Sequence, residues 1–299
     1  MTKLLVTGSS GKMGGEVLGY LLDDLKIAPS NIVAGSRNTG KLSAWAARGV
    51  ETRKVDFDDP DLAGNLGGID RMLMISTDAL DEPGKRLRQH LAAVDAAKAA
   101  GVSHVVYTSM PNPDPDSVIP FAPDHAGTEA ALAKSGLSHT ILRMSWYAEN
   151  LMMSLPQALQ TGQLFTAAGD GKIAYATHAD CALAAASALA NPPSGNVTYT
   201  ITGPDAVSNA DVATAAKAIW GKDIAVVNVP PEGLEQGMLA AGLPEPVAKL
   251  LVAFDLNTAA GKVAEVTGDF TKLTGKAPMG FNDFMTSNAA AFGAQHTAE

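Results

Sequence analysis

Apolar positions follow two periods along the first half of the chain. Short aliphatic or β-branched runs at 3–7, 31–36, 51–55, 71–76 and 104–108 have the length and make-up of strands. Between them, 14–26, 40–48, 61–66 and 84–100 place apolar residues at the 3.6-residue spacing of a helix. Strict alternation of the two predicts an α/β fold, a parallel sheet with helices on both faces. Right-handed crossovers make such a sheet doubly wound. Further strands are expected at 139–143, 173–177 and 198–202, with an alanine-rich helix at 179–190.

After Gly203 the pattern changes. Strands become sparse, and helices at 209–220, 231–241, 245–254 and 281–292 are separated by the turn signals GPD, VPPEG and GLPEP. The expected organisation is a sheet domain over 1–152 and a smaller, mainly helical C-terminal lobe over 153–299. The strands near 173–177 and 198–202 are expected to return to the sheet. Pockets favour such junctions, so the ligand cleft is expected between the two parts. Five prolines in PNPDPDSVIPFAP (111–123) forbid a continuous helix and predict a loop over the strand ends.

Composition narrows the classes. Among the 299 residues, Lys plus Arg number 22 and Asp plus Glu 31, a net charge of −9 that leaves no basic excess for nucleic acid or an acidic membrane surface. Cys181 is the single cysteine, so no internal disulfide forms, and no Cys/His cluster has metal-ligand spacing. A strand expected from residue 3 is read as leaving no room for a leader, and no apolar run in the sequence is long enough to span a bilayer. A soluble, cytoplasmic protein without metal is expected, and exposed apolar helix faces would permit a homodimer.

The chemistry starts at VTGSSGKMGG. Gly8, Gly11 and Gly14 follow the first strand and open the first helix. Gly8 permits the turn, Gly11 lets backbone approach a ligand, and Gly14 lets the helix pack closely on the strand. The helix start presents N–H groups and partial positive charge, so phosphate is the expected guest. The second strand ends in Ser36-Arg37-Asn38, where an acid would suit a free ribose hydroxyl. Arg37 suits a 2′-phosphate through forked, charge-assisted hydrogen bonds, with Ser36, Asn38 and Lys41 beside it, which favours NADPH over NADH. Asp56 and Phe57 follow the third strand. Asp56 either accepts from the adenine amino group or caps the next helix. Ser76-Thr77 and Thr108-Ser109 close the fourth and fifth strands, where ligands of open parallel sheets lie.

TGSSGKMG, the SRN after the second strand, AAKAAGVSHVVYTS, DHAGTEAALAKSGLSHTILR, WYAEN and AAGDGKIAYATHAD occur in this order. Together they resemble the NmrA-like atypical short-chain dehydrogenases, and within them the type 2 NAD(P)H:quinone oxidoreductases and triphenylmethane reductases. The resemblance implies a Rossmann-like domain that binds NADPH and a small lobe that closes a substrate cleft. It also implies cofactor contacts at Gly8, Ser10, Gly11, Lys12, Met13, Arg37, Asp56, Phe57, Ser76 and Thr77, with Trp146 and Tyr147 near the nicotinamide and substrate. The chain departs from the quinone reductases at Met144-Ser145, where they carry Asn-Gly.

Typical short-chain dehydrogenases use a tyrosine and a lysine four residues later as the proton source. Here the residues four places beyond Tyr20, Tyr107, Tyr147, Tyr175 and Tyr199 are Asp24, Pro111, Leu151, Ala179 and Gly203. Reducing a simple ketone makes a basic alkoxide that needs a positioned acid, whereas a quinone becomes a stabilised anion that water can protonate. The expected activity is therefore NADPH-dependent hydride transfer to a quinone or similar flat acceptor, with His125 and Tyr147 as candidate hydrogen-bond donors. Two alternatives stand beside it: a carbonyl reductase with His125 or Tyr147 as the acid, and an NmrA-type redox sensor that binds NADP(H) without turnover.

Overall fold

Alternation along the strands sets the two faces of the sheet. Leu4, Val6, Leu73 and Val106 point to one side, and Leu5, Met72, Met74, Val105 and Tyr107 to the other, all buried. The computed structural model describes residues 2–293; residue 1 and residues 294–299, at the outer ends of the two expected regions, lie outside the described residues.

Strands β1 (Leu4–Val6), β2 (Ile32–Ser36), β3 (Glu51–Lys54), β4 (Arg71–Met74), β5 (His104–Ser109) and β6 (Ser138–Met144) are followed by β7 (Gln163–Thr166), β8 (Lys172–Ile173), β9 (Val197–Ile201), β10 (Val207–Ser208) and β11 (Ala225–Asn228). Seven of them form one parallel sheet in the order β3-β2-β1-β4-β5-β6-β9. This is the doubly wound, Rossmann-like arrangement, and its strand order reverses between β1 and β4.

One face is covered by helix Lys12–Gly19 and by helix His178–Ala190. Ten of the thirteen residues of the latter are buried, six of them alanines, which lets the helix lie close to sheet and neighbours alike. Helices Lys85–Ala99 and Ala122–Ser135 cover the other face.

The return of strand 197–201 to the sheet matches expectation. The strand expected at 173–177 does not join it: only Lys172–Ile173 is strand, paired antiparallel with β10. Beyond it the chain runs beside Trp146–Ala148, where Ala176 N–H donates to Trp146 C=O at 3.1 Å. Strands β7 and β11, absent from the sequence reading, pair parallel in the small lobe. Helix 281–292 is two pieces, Phe281–Ser287 and Ala289–Gly293, and Asn288 between them turns its side-chain amide back onto Phe284 C=O at 2.9 Å. The lobe has its own core of Leu151, Leu155, Val212, Phe281, Phe284 and Phe292. A small cluster of Met110, Ile119, Ala122 and Ala253, with Phe121, Trp146 and Phe254 against it, joins the lobe to the sheet domain. Among the described residues, no helix is long and apolar enough to cross a membrane.

Candidate active site

The loop after β1 has the geometry its glycines require. Gly8 sits at φ +60°, in the left-handed region, and makes the turn. A Cβ on Gly14 would lie 2.7 Å from Ser9 Cα, so helix and loop touch backbone to backbone. Gly11 N–H is taken by Gly8 C=O at 2.9 Å. The helix starts at Lys12, so the N–H groups of Lys12, Met13 and Gly14 are the open donors of its first turn. Ser10 and Ser36 hydroxyls meet at 2.9 Å and tie this loop to the end of β2.

The second-strand residues divide into held and free. Asn38 Oδ1 accepts from Gly40 N–H at 3.0 Å and caps the following turn. Arg37 is free: its side chain is 69% exposed, and its one ion pair is a loose 3.9 Å contact with Asp78. Asp56 Oδ1 accepts from Asp58 N–H at 3.1 Å, the turn-capping use of that residue. Phe57 is buried in the core beside Val55 and Leu62.

The ends of β4 and β5 are laced together. Ser76 N–H donates to Thr108 Oγ1 at 2.9 Å, and Thr77 N–H donates to His90 Nε2 at 3.0 Å. A backbone N–H can only donate, so His90 carries its proton on Nδ1 and gives it to Thr128 Oγ1 at 2.9 Å. Thr128 in turn donates to Asp124 C=O at 2.6 Å. Beside this chain, Arg86 donates to His125 Nε2 at 2.9 Å, and His125 Nδ1–H donates to Tyr107 Oη at 2.8 Å. Burial and the Arg86 charge hold His90 down to about 3 and His125 down to about 2, so both are neutral at neutral pH.

Neither expected hydrogen-bond donor is free. Both nitrogens of His125 are committed to Arg86 and Tyr107, and a second positive charge beside Arg86 is disfavoured. Tyr147 stacks on His178 at 3.9 Å between centroids, and its hydroxyl donates to Met144 Sδ at 3.8 Å. Burial raises its pKa, which makes it a weaker acid. Neither residue lines the cavity described next: the core of the sheet domain holds His125, and Met144 takes the Tyr147 hydroxyl.

That cavity, of about 570 Å³, lies between the β6 end and the small lobe. Trp146 forms its wall on the sheet side, tilted on Phe254 with centroids 5.0 Å apart. Leu151, Tyr175, Leu234 and Leu251 make the rest largely apolar. Trp146 Nε1 and Ser145 Oγ are buried without a hydrogen-bond partner. Asp255 also lines it: burial holds its pKa above the usual carboxylate value, and hydrogen bonds from Thr166 and Ala167 offset that only in part. Sequence reasoning reached Trp146 but missed Phe254 and Asp255; it ended the helix at 254, which left Asp255 outside, whereas the helix runs Glu245–Ala259. It also missed His90 and Arg86, whose burial inside a polar helix has no periodic signal. Among the described residues, no group of three or more His, Cys, Asp or Glu side chains could hold a metal.

Quinone oxidoreductase 2 of Escherichia coli (strain K12) is 35% identical over 273 residues, spanning 91% of this chain and 93% of that protein. The crystal structure of the E. coli NADPH-dependent quinone oxidoreductase QOR2 with NADPH superposes with a TM-score of 0.88 at 33% identity, covering 96% of this chain and 99% of the other. The Citrobacter sp. triphenylmethane reductase complexed with NADP(H) gives 0.88 at 30% identity, covering 96% and 100%. The NmrA-like family model matches residues 1–285, and with the Rossmann-like sheet and its glycine loop already in place, the chain belongs to the NmrA-like family.

Proposed function

We propose that this chain is an NADPH-dependent oxidoreductase that transfers hydride to a quinone or a similar flat conjugated acceptor. The site fits the cofactor on three counts. The bare Gly14 lets the start of the first helix sit against the Gly8–Ser9 backbone, which holds the helix mouth at the end of β1. The first-turn N–H groups of Lys12, Met13 and Gly14 are open. Arg37 has only a loose partner, which leaves its guanidinium available to a 2′-phosphate. Ser10, Gly11, Ser76, Thr77 and Thr108 line the same edge of the sheet. NADPH supplies the hydride from its nicotinamide when bound.

The chain's own residues then bind and orient. Trp146 and Phe254 offer flat apolar surface to a conjugated ring within the cavity. The quinone gains one hydride, and the resulting hydroquinone anion takes a proton from water. The observation that carries this reading is the pairing of that cavity with a His125 and a Tyr147 that keep their protons. It supports an acceptor that needs no protein acid over a simple ketone. The relative named quinone oxidoreductase points the same way.

The test is NADPH consumption by the purified chain with a naphthoquinone and with an aliphatic ketone. Oxidation with the quinone alone is expected. Ketone turnover that His125→Ala abolishes would overturn the reading in favour of a carbonyl reductase.

A further inference from the structure

Helix Glu245–Ala259 sends Leu251, Phe254, Asp255 and Thr258 into the cavity wall, the spacing of one helical stripe. An aspartate in the middle of an apolar stripe is costly unless its charge is used or compensated. Among the described residues, Asp255 is the only one with an acidic or basic side chain lining the cavity. Among the described residues, no Lys, Arg or His pairs with it. Its Oδ2 accepts from Thr166 Oγ1 and from Ala167 N–H, both at 2.7 Å. Asn209 Nδ2 donates to Thr166 Oγ1 at 3.0 Å and braces it from the neighbouring helix. The carboxylate is thereby fixed on one oxygen, while Oδ1 makes no hydrogen bond to the protein among the described residues.

A fixed, unpaired carboxylate in an apolar wall puts a negative potential across the space beside it, and low local polarity strengthens that potential. We propose that Asp255 is the charge selector of this cavity: it favours acceptors with a positively charged substituent and rejects those carrying a sulfonate or carboxylate. The proposal rests on the reading that the cavity receives the acceptor, and it names the substrate class that reading leaves open. Asp255 acts here by binding and discrimination and takes no part in moving the hydride.

The experiment uses the full chain saturated with NADP⁺ and redox-inert probes of one size: a naphthyl-trimethylammonium and a naphthalenesulfonate. Their dissociation constants are measured by calorimetry, and their competition with naphthoquinone is checked in the steady state. The cation is expected to bind at least about tenfold more tightly than the sulfonate. Asp255→Asn, which can keep the hydrogen bonds from Thr166 and Ala167, brings the ratio close to one, and Asp255→Glu preserves its direction. Equal affinities in the wild type, or an unchanged ratio in Asp255→Asn, overturn the proposal. If Asp255→Asn does not fold, the wild-type ratio still decides. Because the probes are not reduced, the ratio is readable even if no quinone is turned over. Quinone turnover with a flat ratio sinks only the role of Asp255.

Discussion

Lowering the pH from 7 to 5 should destabilise this protein through two buried histidines. His90 is fully buried and His125 nearly so, and both are held neutral beside Arg86. In the unfolded chain each titrates near pH 6.5. The folded values are depressed, to about 3 and about 2. Between those values and 6.5 the unfolded state binds protons that the native state refuses, so stability is complete above pH 6.5 and falls as the pH drops. Each group contributes about 1.4 kcal/mol per pH unit below 6.5. From pH 7 to 5 the loss is about 2 kcal/mol for each and about 4 kcal/mol for the pair. That is a large share of the roughly 5–15 kcal/mol that holds a typical domain folded. The assay is urea unfolding at several pH values, in the wild type and in His90→Asn and His125→Gln. Carboxylates titrate in the same window, so the difference between wild type and variant isolates each histidine. Each variant should lose about one proton from the pH slope. Slopes that stay parallel to the wild type between pH 6 and 5 would refute the buried, neutral assignment.

Three further outcomes follow from the same geometry. Arg37→Ala should weaken NADPH binding about thirtyfold, the worth of one charge-assisted contact, and leave NADH within about twofold; equal losses for both in a fluorescence titration would remove Arg37 from the 2′-phosphate. Gly14→Ala forces a Cβ against the backbone of Gly8 and Ser9. It should cost about 1–3 kcal/mol of stability together with a clear loss of cofactor affinity, both read from melts with and without NADPH. His125→Gln should be less stable, yet its kcat with a naphthoquinone below the melting range should stay within about threefold of wild type, because the His125 Nδ1 proton is held by Tyr107 away from the cavity; a loss of about a hundredfold or more would restore it as an acid.

The strands and most helices of the sheet domain were legible because each buries a face with its own period. Leu4, Leu5 and Val6 alone mark a strand buried on both sides, and the glycine triplet marks the turn that follows. The alanines of 178–190 announced a helix but not its place, since a small residue suits any close contact. Strands β7 and β11 were illegible because QLFT and AVVN are four residues each, and their partner lies about sixty residues away. In the site, the turn at Gly8 and the close packing at Gly14 were readable from type and spacing. The commitments of His125 and Tyr147 were not: their partners, Arg86, Tyr107 and Met144, come from other elements or from an apolar neighbour with no polar signature. Asp255 shows the limit from the other side, for a carboxylate on an amphipathic helix reads as solvated until its face is known to line a cavity.

The most direct test of the central claim is a single turnover. The chain is loaded with one equivalent of NADPH and mixed rapidly with excess naphthoquinone, while the reduced nicotinamide absorbance is followed. The account predicts that the bound cofactor is oxidised in one exponential phase, with one hydroquinone formed per NADPH. Bound NADPH that stays reduced against every acceptor tried would contradict it and would make this chain a sensor of the dinucleotide.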